Sequence, residues 1–244
     1  MDRFFLPSTS WGDSLSLTGD EGHHCRRVMR KKVGDRIEVF DGEGRFAVAL
    51  ISAMTSNEVV LERQSEGRSE RLSPQVEIAV GIPKGKTFDL IIQKAVELGV
   101  SRIQPLVTEQ GNVRITDKDH ASKRDKWQRG ALEACKQCGQ NHLPEVSLPR
   151  ELAPWLSEGR DGAKFVGALQ PSARPFRSLL EMSEEPESLT LLIGPEGDFS
   201  TSEYHEISRA GFAPVDLGEL VLRTETAVFT MVAAVRYHYQ IPAK

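Results

Sequence analysis

Two glycine-rich turns in the last third of the chain carry the residues best suited to ligand binding and chemistry. The first joins an apolar run to Gly194-Pro195-Glu196-Gly197-Asp198, and Ser200 with Glu203 forms a capping box that begins a helix. Glycines let a ligand lie against bare backbone, and open α/β sheets bind ligands at the carboxyl ends of strands. The segment therefore predicts a ligand-binding loop, and a plain turn with an N-cap is an equally good interpretation of this segment alone.

The second turn leads into a last helix whose apolar residues, from Ala227 to Tyr239, recur at helical spacing. It places four polar residues at the start of that helix: Arg223, Thr224, Glu225 and Thr226. A cation and a carboxylate at this position could orient a polar substrate. An exposed ion pair with capping hydroxyls explains the same residues nearly as well.

Other motifs that could carry chemistry are incomplete. The segment 81–87 follows a predicted strand but has three residues between its glycines where a P-loop needs four, and Pro83 removes a backbone donor. No G-x-G-x-x-G dinucleotide motif and no G-x-S-x-G nucleophile motif is present. Cys135, Cys138 and His142 are three local ligands where structural zinc needs four. We therefore interpret the cysteines as buried structural thiols.

Positive charge is concentrated in two segments of the chain. The 31 Lys and Arg against 35 Asp and Glu give a net charge of −4, which argues against a nonspecific polyanion binder. Bases are nevertheless dense over 26–36 and over 114–129. Either segment could line a phosphate backbone, and the candidate residues for this are Arg26, Arg27, Arg30, Lys31, Lys32 and Arg114. For one isolated basic run, a solvated helix face is the alternative.

The composition predicts a folded protein that neither spans a membrane nor forms a disulfide framework. Hydrophobic residues make up 39% and charged residues 27% of the 244 residues, which is ordinary globular usage. No run approaches the roughly 18 to 20 apolar residues of a membrane span, and the first residues are too charged for a signal peptide. Three cysteines fit a reducing compartment, so we predict a cytoplasmic protein.

Two patterns divide the chain. Up to residue 63, short apolar runs alternate around Asp-Gly and Gly turns, as in the hairpins of a small barrel. Residues 64–71 are polar and aperiodic, which predicts a linker. From residue 75 onward, apolar strands alternate with amphipathic helices, which predicts a largely parallel α/β sheet with helices on both faces. These elements would place both glycine-rich turns at carboxyl ends of strands.

Taken together, the sequence blocks resemble RsmE-type methyltransferases of the SPOUT superfamily, which modify N3 of a 16S ribosomal RNA uridine, position 1498 in the usual numbering. The blocks that carry the resemblance are 93–100, 133–139, 194–197, 217–218 and 222–227. The resemblance covers nearly the whole chain, and the combination of blocks is highly specific.

The resemblance implies an α/β fold with a PUA-like β-barrel RNA-binding domain over 1–70 and a SPOUT methyltransferase domain, with a carboxy-terminal trefoil knot, over 75–244. S-adenosyl-L-methionine would be held by three successive loops, 169–172, 194–198 and 217–223. The implied cofactor-binding residues are Leu169, Gly194, Pro195, Glu196, Gly197, Leu217, Gly218, Leu222 and Thr226. The implied partners are 16S ribosomal RNA within the small ribosomal subunit and a second copy in a homodimer that shares the active site.

In the implied reaction, the uridine N3 displaces the methyl group from a sulfonium without a metal or a covalent enzyme intermediate. We expect Arg223 to hold the uracil carbonyls or a phosphate, and Glu225 or Glu196 to orient the base or accept its proton. Three departures from the family pattern bear on these roles. They are Gln110 and Gln140, where relatives often carry arginine, and Asp198, where they often carry glycine.

Two other functions remain open from the sequence. In the first, the chain is a noncatalytic RNA-binding assembly factor whose pocket is vestigial. In the second, it keeps the cofactor and methylates another nucleotide, for example in transfer RNA.

Overall fold

The computed structural model describes residues 1–111, 117–182 and 185–239. The chain divides into two compact units. The first contains Met1–Arg71 together with Leu132–Leu143, and the second contains Leu72–Ala131 together with the chain from Pro144 onward.

The first unit is built on a five-stranded sheet in the order β1-β3-β4-β5-β2. Its strands are β1 (Arg3–Phe5), β2 (Leu15–Leu17), β3 (Arg36–Phe40), β4 (Arg45–Met54) and β5 (Val59–Arg68). β1 pairs with β3 in parallel, and the other pairs are antiparallel. Alternate residues such as Ile37, Val39 and Ala49 point into one buried core, which confirms the predicted strand pattern.

A helical segment between β2 and β3 carries Arg26 and Arg27, the first two bases of the first basic run. Helix α1 (Gly19–His23) continues into a π-helical turn over His24–Val28. The helix α3 (Asp117–Cys138) contributes its last turns to the same unit, where Arg3 Nη1 donates to the Cys135 carbonyl at 2.6 Å and Lys136 pairs with Glu21.

The prediction of a linker over residues 64–71 is wrong for residues 64–68. Strand β5 continues through the polar residues to Arg68, which lies opposite Arg45 in β4. A cross-strand ion pair between Arg45 and Glu66, 2.6 Å from Nε to Oε1, supports that extension. The polar composition reflects a solvated strand, because residues 64–66 and 68 of β5 are exposed.

The thiols are buried at two of the three cysteines. Cys25 and Cys135 are buried, and burial raises their pKa values to about 11 and about 12, which favours the protonated thiols at neutral pH. Cys138 is exposed, and the prediction of a buried thiol is wrong there. Cys138 lies at the last position of α3, where the helix ends.

The second unit contains one parallel sheet in the order β11-β13-β10-β12-β6-β7-β8, with β9 also paired to β7. Its strands are β6 (Gln75–Gly81), β7 (Arg102–Val107), β8 (Glu145–Val146), β9 (Arg150–Glu151), β10 (Ala163–Gly167), β11 (Arg174–Pro175), β12 (Ser188–Ile193) and β13 (Ala213–Asp216). Its remaining helices are α2 (Thr87–Glu97), α4 (Leu152–Ser157), α5 (Phe176–Glu181), α6 (Thr201–Arg209) and α7 (Thr224–Tyr239).

Helices cover both faces of this sheet, as predicted. On one face, Trp155 of α4 and Ile207 of α6 pack against Leu192 of β12 in a common core. On the other face, α7 lies against β12 and beside α2. Residues Leu189–Ile193 are therefore buried on both sides, which explains why they read as an unbroken apolar run.

A buried arginine fixes the end of the last helix. Arg236 is 8% exposed and donates to the carbonyls of Pro74 at 2.7 Å and Leu98 at 3.3 Å, and also to Gly99. Burial lowers the pKa of this guanidinium. Because its acceptors include the carboxyl end of α2, the cation also complements the dipole of that helix. None of the described helices is long and apolar enough to cross a membrane.

Candidate active site

Three loops of the second unit converge on one pocket. They follow β10, β13 and β12, which are neighbours in the parallel sheet, so their carboxyl ends meet at one edge. The pocket encloses about 720 Å³ of space, part of it open to solvent. It is lined by Gly167, Ala168, Leu169, Ile193, Gly194, Pro195, Glu196, Asp198, Val215, Asp216, Leu217, Gly218, Leu220, Leu222, Arg223, Thr224 and Ala227.

Hydrogen bonds hold the three loops to one another. The backbone N–H of Ala168 donates to the Val215 carbonyl at 3.1 Å and joins the first loop to β13, the strand that leads into the third loop. Thr224, buried at the start of α7, donates from Oγ1 to the Gly194 carbonyl at 3.1 Å. The start of the last helix is therefore anchored to the second loop, which explains why a threonine stands there.

The segment that resembles an incomplete P-loop supports the second loop. The backbone N–H of Lys84 donates to Glu196 Oε1 at 3.0 Å. A Cβ on Gly81 would lie 2.5 Å from Pro195 Cδ, so β6 can approach this loop only because residue 81 is a glycine. Sequence reasoning missed this contact, because the two segments are more than 100 residues apart and no local pattern links them.

The predicted capping box on α6 is confirmed, and it also anchors another strand end. Ser200 Oγ accepts from the Glu203 N–H at 3.1 Å, and Glu203 Oε2 accepts from the Ser200 N–H at 2.8 Å. Glu203 is buried, and its other oxygen accepts from the Glu109 N–H at 2.8 Å. One carboxylate therefore links the loop after β7 to the start of α6.

Asp198 closes the second loop in a conformation that few residues adopt. Its φ is +62°, and its N–H donates to the Pro195 carbonyl at 3.0 Å. Its Oδ1 accepts from the Tyr204 hydroxyl and from the Phe199 N–H, each at 2.8 Å. Burial and the hydrogen bond to Asp198 raise the pKa of Tyr204. Nothing in the sequence alone indicates Tyr204 as part of this site.

The structure brings together most of the residues predicted to bind the cofactor or act on substrate. Those that line the pocket are Leu169, Gly194, Pro195, Glu196, Leu217, Gly218, Leu222 and Arg223. Gly197, Glu225 and Thr226 are not among the lining residues. A Cβ on Gly197 would lie 3.0 Å from the Gln110 carbonyl, which places Gln110 beside the same loop. The chemical roles of all these residues stay predictions.

The first basic run has two kinds of residue. Arg26 donates to the carbonyls of Gly22 at 2.9 Å and Thr55 at 2.6 Å, and Lys31 pairs with Asp2. Arg27, Arg30 and Lys32 are exposed and make no ion pair within the described part of the chain. These three cations remain available to a ligand. Arg114 lies outside the described residues, and Gln140 lies in the first unit, where its Oε1 accepts from the His142 N–H at 3.3 Å.

Metal-binding side chains do not cluster: across 1–111, 117–182 and 185–239, no group of three or more His, Cys, Asp or Glu residues is placed to hold an ion.

Comparison with known proteins places this fold and pocket in one class. A family model for an RNA methyltransferase domain matches residues 70–236, and a model for an RNA methyltransferase PUA domain matches residues 17–62. The fold and the pocket therefore define an RNA methyltransferase that carries a PUA-like domain on a mixed α/β chain.

Relatives that match almost the full length identify the family. Ribosomal RNA small subunit methyltransferase E of Bacillus subtilis is 30% identical, over 99% of this chain and 98% of its own. The Neisseria gonorrhoeae enzyme of the same name, solved with S-adenosyl methionine, superposes with a TM-score of 0.88 at 28% identity over 98% of both chains. A Legionella pneumophila methyltransferase in complex with the same cofactor superposes with a TM-score of 0.87 at 32% identity, over 96% of both chains. The chain belongs to the ribosomal RNA small subunit methyltransferase E family.

Proposed function

We propose that this chain is an S-adenosyl-L-methionine-dependent methyltransferase that methylates N3 of a uridine, position 1498, in 16S ribosomal RNA of the small ribosomal subunit. The observation that carries the proposal is the pocket in which three strand-end loops converge on Gly194, Gly218 and Arg223. Two full-length structural relatives were solved with this cofactor, and the curated relatives are named for small-subunit ribosomal RNA.

The residues of the pocket fit the cofactor. Gly218 has a φ of +122°, and a Cβ there would meet nothing within 4 Å, so bare backbone faces open space. Apolar side chains, Leu169, Leu217 and Leu222, would cover an adenosyl group, and the backbone groups of 194–197 and 217–218 would hydrogen-bond its polar atoms.

When bound, the cofactor would supply a methyl group on a positively charged sulfur, which would become neutral as the methyl passes to N3. The proton of N3 would go to a base of this chain. The chain's own contribution is to align N3 with the methyl group. Such alignment can lower the activation free energy by up to about 7 to 11 kcal/mol.

Arg223 is the residue we assign to the uracil. It is exposed at the edge of the pocket and makes no ion pair among the described residues, so its guanidinium is free to contact the uracil carbonyls or a phosphate. Negative charge develops on the uracil as its proton leaves, and a fixed cation stabilises that charge. Glu196 and Glu225 are the proposed proton acceptors or orienting groups. Glu196 lines the pocket, and Glu225 lies in the first turn of α7.

Calorimetry with S-adenosyl-L-methionine tests the proposed cofactor site. A methyltransferase gives a saturable heat at one site per chain. A noncatalytic RNA-binding assembly factor with a vestigial pocket gives no heat, and that result would remove the basis of the proposal.

We also propose that the carboxy-terminal part of the methyltransferase domain is threaded as a trefoil knot. The proposed domains are 1–70 and 75–244, and the segment Leu132–Leu143 of the second belongs to the first compact unit. The chain order supports this: β12 is followed by β13, which lies beyond β10, and α7 then returns to lie against β12. Such a path is an exception to the general rule that chains are unknotted. An experimental density map of the loops after β10 and β13 tests the threading.

A homodimer is the proposed assembly, through α5 and α7. A groove between them is lined by Phe176, Leu180 and Tyr237, and Tyr237 is 88% exposed. Because the groove continues to Leu217 and Gly218 of the cofactor loop, a second copy seated there would lie beside the pocket. We expect Tyr237→Glu to convert the dimer to a monomer in sedimentation velocity, with Tyr237→Phe as the matched control. A monomeric unsubstituted protein would contradict the assembly.

The exposed cations of the first basic run are the proposed RNA-docking residues. We expect the triple change Arg27→Glu, Arg30→Glu and Lys32→Glu to weaken binding to small-subunit RNA. The slope of log affinity against log salt should fall by about 2 to 3, since each lost phosphate contact removes about 0.7 to 0.9. Affinity for the cofactor should not change.

Filter binding from 50 to 300 mM salt measures the slope. The control is Arg209→Glu at the end of α6, an exposed cation outside both basic runs, which should leave the slope unchanged. An unaltered salt slope in the Arg27, Arg30 and Lys32 variant would show that RNA docks elsewhere. Because ribosomal RNA is the substrate, we assign the protein to the cytoplasm.

A further inference from the structure

Asp198 is the one pocket carboxylate whose position is fixed by a neighbouring side chain. Both of its hydrogen bonds, from the Tyr204 hydroxyl and the Phe199 N–H, end on Oδ1. Within the described residues, no hydrogen bond to Oδ2 is found. One oxygen of the carboxylate is therefore held in place, and Asp198 lines the pocket.

The pocket as a whole is electronegative. Its charged lining residues are three carboxylates, Glu196, Asp198 and Asp216, and one guanidinium, Arg223, which gives a net charge of −2. Glu196, Asp216 and Arg223 are exposed, whereas Asp198 is half-buried. Charges that are shielded from water are screened less, so the charge of Asp198 is screened less than the charges of the three exposed residues.

The methyl donor and the demethylated product differ by one charge. Each has an amino-acid end in which an ammonium and a carboxylate cancel, and the donor alone carries a sulfonium. The donor is therefore a cation, and the product, S-adenosylhomocysteine, is neutral overall. An electronegative pocket therefore attracts the donor more strongly than it attracts the product, whatever the position of the sulfonium inside the pocket.

We propose that Asp198, held in place by Tyr204, is a specificity-determining residue that makes the pocket prefer the cationic methyl donor over the neutral product. This inference rests on the proposed function. Transfer of the methyl group removes the charge that Asp198 attracts, so the same interaction that favours donor binding is lost when product forms. Product release is thereby favoured without any movement of the chain.

Calorimetry with both ligands tests the proposal. We expect Asp198→Asn, which keeps an acceptor at Oδ1 but removes the charge, to raise the Kd for S-adenosyl-L-methionine about fivefold, as for a partly exposed ion pair. The Kd for S-adenosylhomocysteine should stay within about twofold. Glu206→Gln, an exposed change on α6 outside the pocket, is the matched control and should alter neither Kd.

Asp198→Gly provides a second variant that retains the fold, because glycine adopts a φ of +62° without strain. It should show the same selective loss of donor affinity. Equal changes for both ligands, or no change in either, in both variants would overturn the proposal. If the unsubstituted protein binds neither ligand, the proposed function itself fails, and the two failures are thereby distinguished.

Tyr204→Phe separates positioning from charge. It removes the hydroxyl that donates to Asp198 and leaves the carboxylate and the aromatic contact between Phe199 and residue 204. We expect the Kd for the donor to rise about twofold, which is less than in Asp198→Asn. Raised salt should abolish this rise and also the preference of the pocket for the donor over the product. A loss of affinity for both ligands alike would show that Tyr204 acts only on the shape of the loop.

Discussion

Gly81→Ala is expected to lower kcat/KM for methylation about 100-fold and to weaken cofactor binding, while the protein stays folded. The added Cβ would lie 2.5 Å from Pro195 Cδ and 2.7 Å from Pro195 N, which is about 1 Å too close. Both atoms belong to a rigid ring, so the second loop must shift. A displacement of about 1 Å at a reacting centre can cost about 10²-fold in rate.

Gly130→Ala is the matched control for that change. Gly130 lies within α3, where a Cβ would meet only Ile92 Cγ2, at 4.0 Å. The added methyl should therefore stabilise the fold by about 0.5 to 1 kcal/mol, the usual gain when alanine replaces a helical glycine, and leave activity unchanged. Calorimetry and single-turnover methylation measure both variants. Full activity in Gly81→Ala would show that the position of Pro195 does not determine the geometry of the site.

Arg223→Ala is expected to reduce the single-turnover rate of methylation by about 10² to 10³, the usual effect of removing one group that stabilises developing negative charge. The cofactor Kd should stay within about twofold, because the three loops hold the cofactor by backbone and apolar contacts. Arg223→Lys should recover part of the rate, since the ammonium supplies the charge without the planar fork.

Arg209→Ala, at the end of α6 and outside the pocket, controls for the loss of one cation. It should change neither the rate nor the Kd. An unchanged rate in Arg223→Ala with cofactor binding intact would exclude Arg223 from the reaction. A parallel loss of cofactor affinity would instead assign Arg223 to cofactor binding.

The sequence predicts the elements of the second unit well, because strands buried on both faces and amphipathic helices have clear periodicities. The strand before Gly194 and the capping box of Ser200 and Glu203 follow from such local patterns. The short helix α4 was not predicted, since six residues give too little periodicity to distinguish a helix from a loop. The fold class could therefore be derived, and the small elements that complete it could not.

Contacts between distant segments could not be derived from periodicity. The need for glycine at position 81 depends on Pro195, more than 100 residues away. Arg26, predicted as an RNA contact from its charge, donates to the Gly22 and Thr55 carbonyls, which only the folded chain brings within reach. Tyr204 belongs to the site because one turn of α6 brings its hydroxyl to Asp198. Residue types alone do not specify these partners.

The segment Leu132–Leu143 shows the same limit for domain organisation. Its residues continue a helix that begins in the second unit, and they belong to the first unit because Arg3 and Glu21 contact the end of that helix. A domain boundary predicted from the sequence assigns each segment to the domain of its neighbours in the chain. The contacts of Leu132–Leu143, however, are made with side chains more than 100 residues earlier.

Methylation of ribosomal RNA, followed by mass spectrometry, tests the central claim most directly. Small ribosomal subunits from a bacterial strain that lacks the relevant methyltransferase would be incubated with the purified chain and S-adenosyl-L-methionine, and the RNA digested and sequenced by tandem mass spectrometry. The proposed function predicts one added methyl group, on N3 of uridine 1498. An unmodified uridine 1498, or a methyl group only on another nucleotide or on transfer RNA, would contradict it.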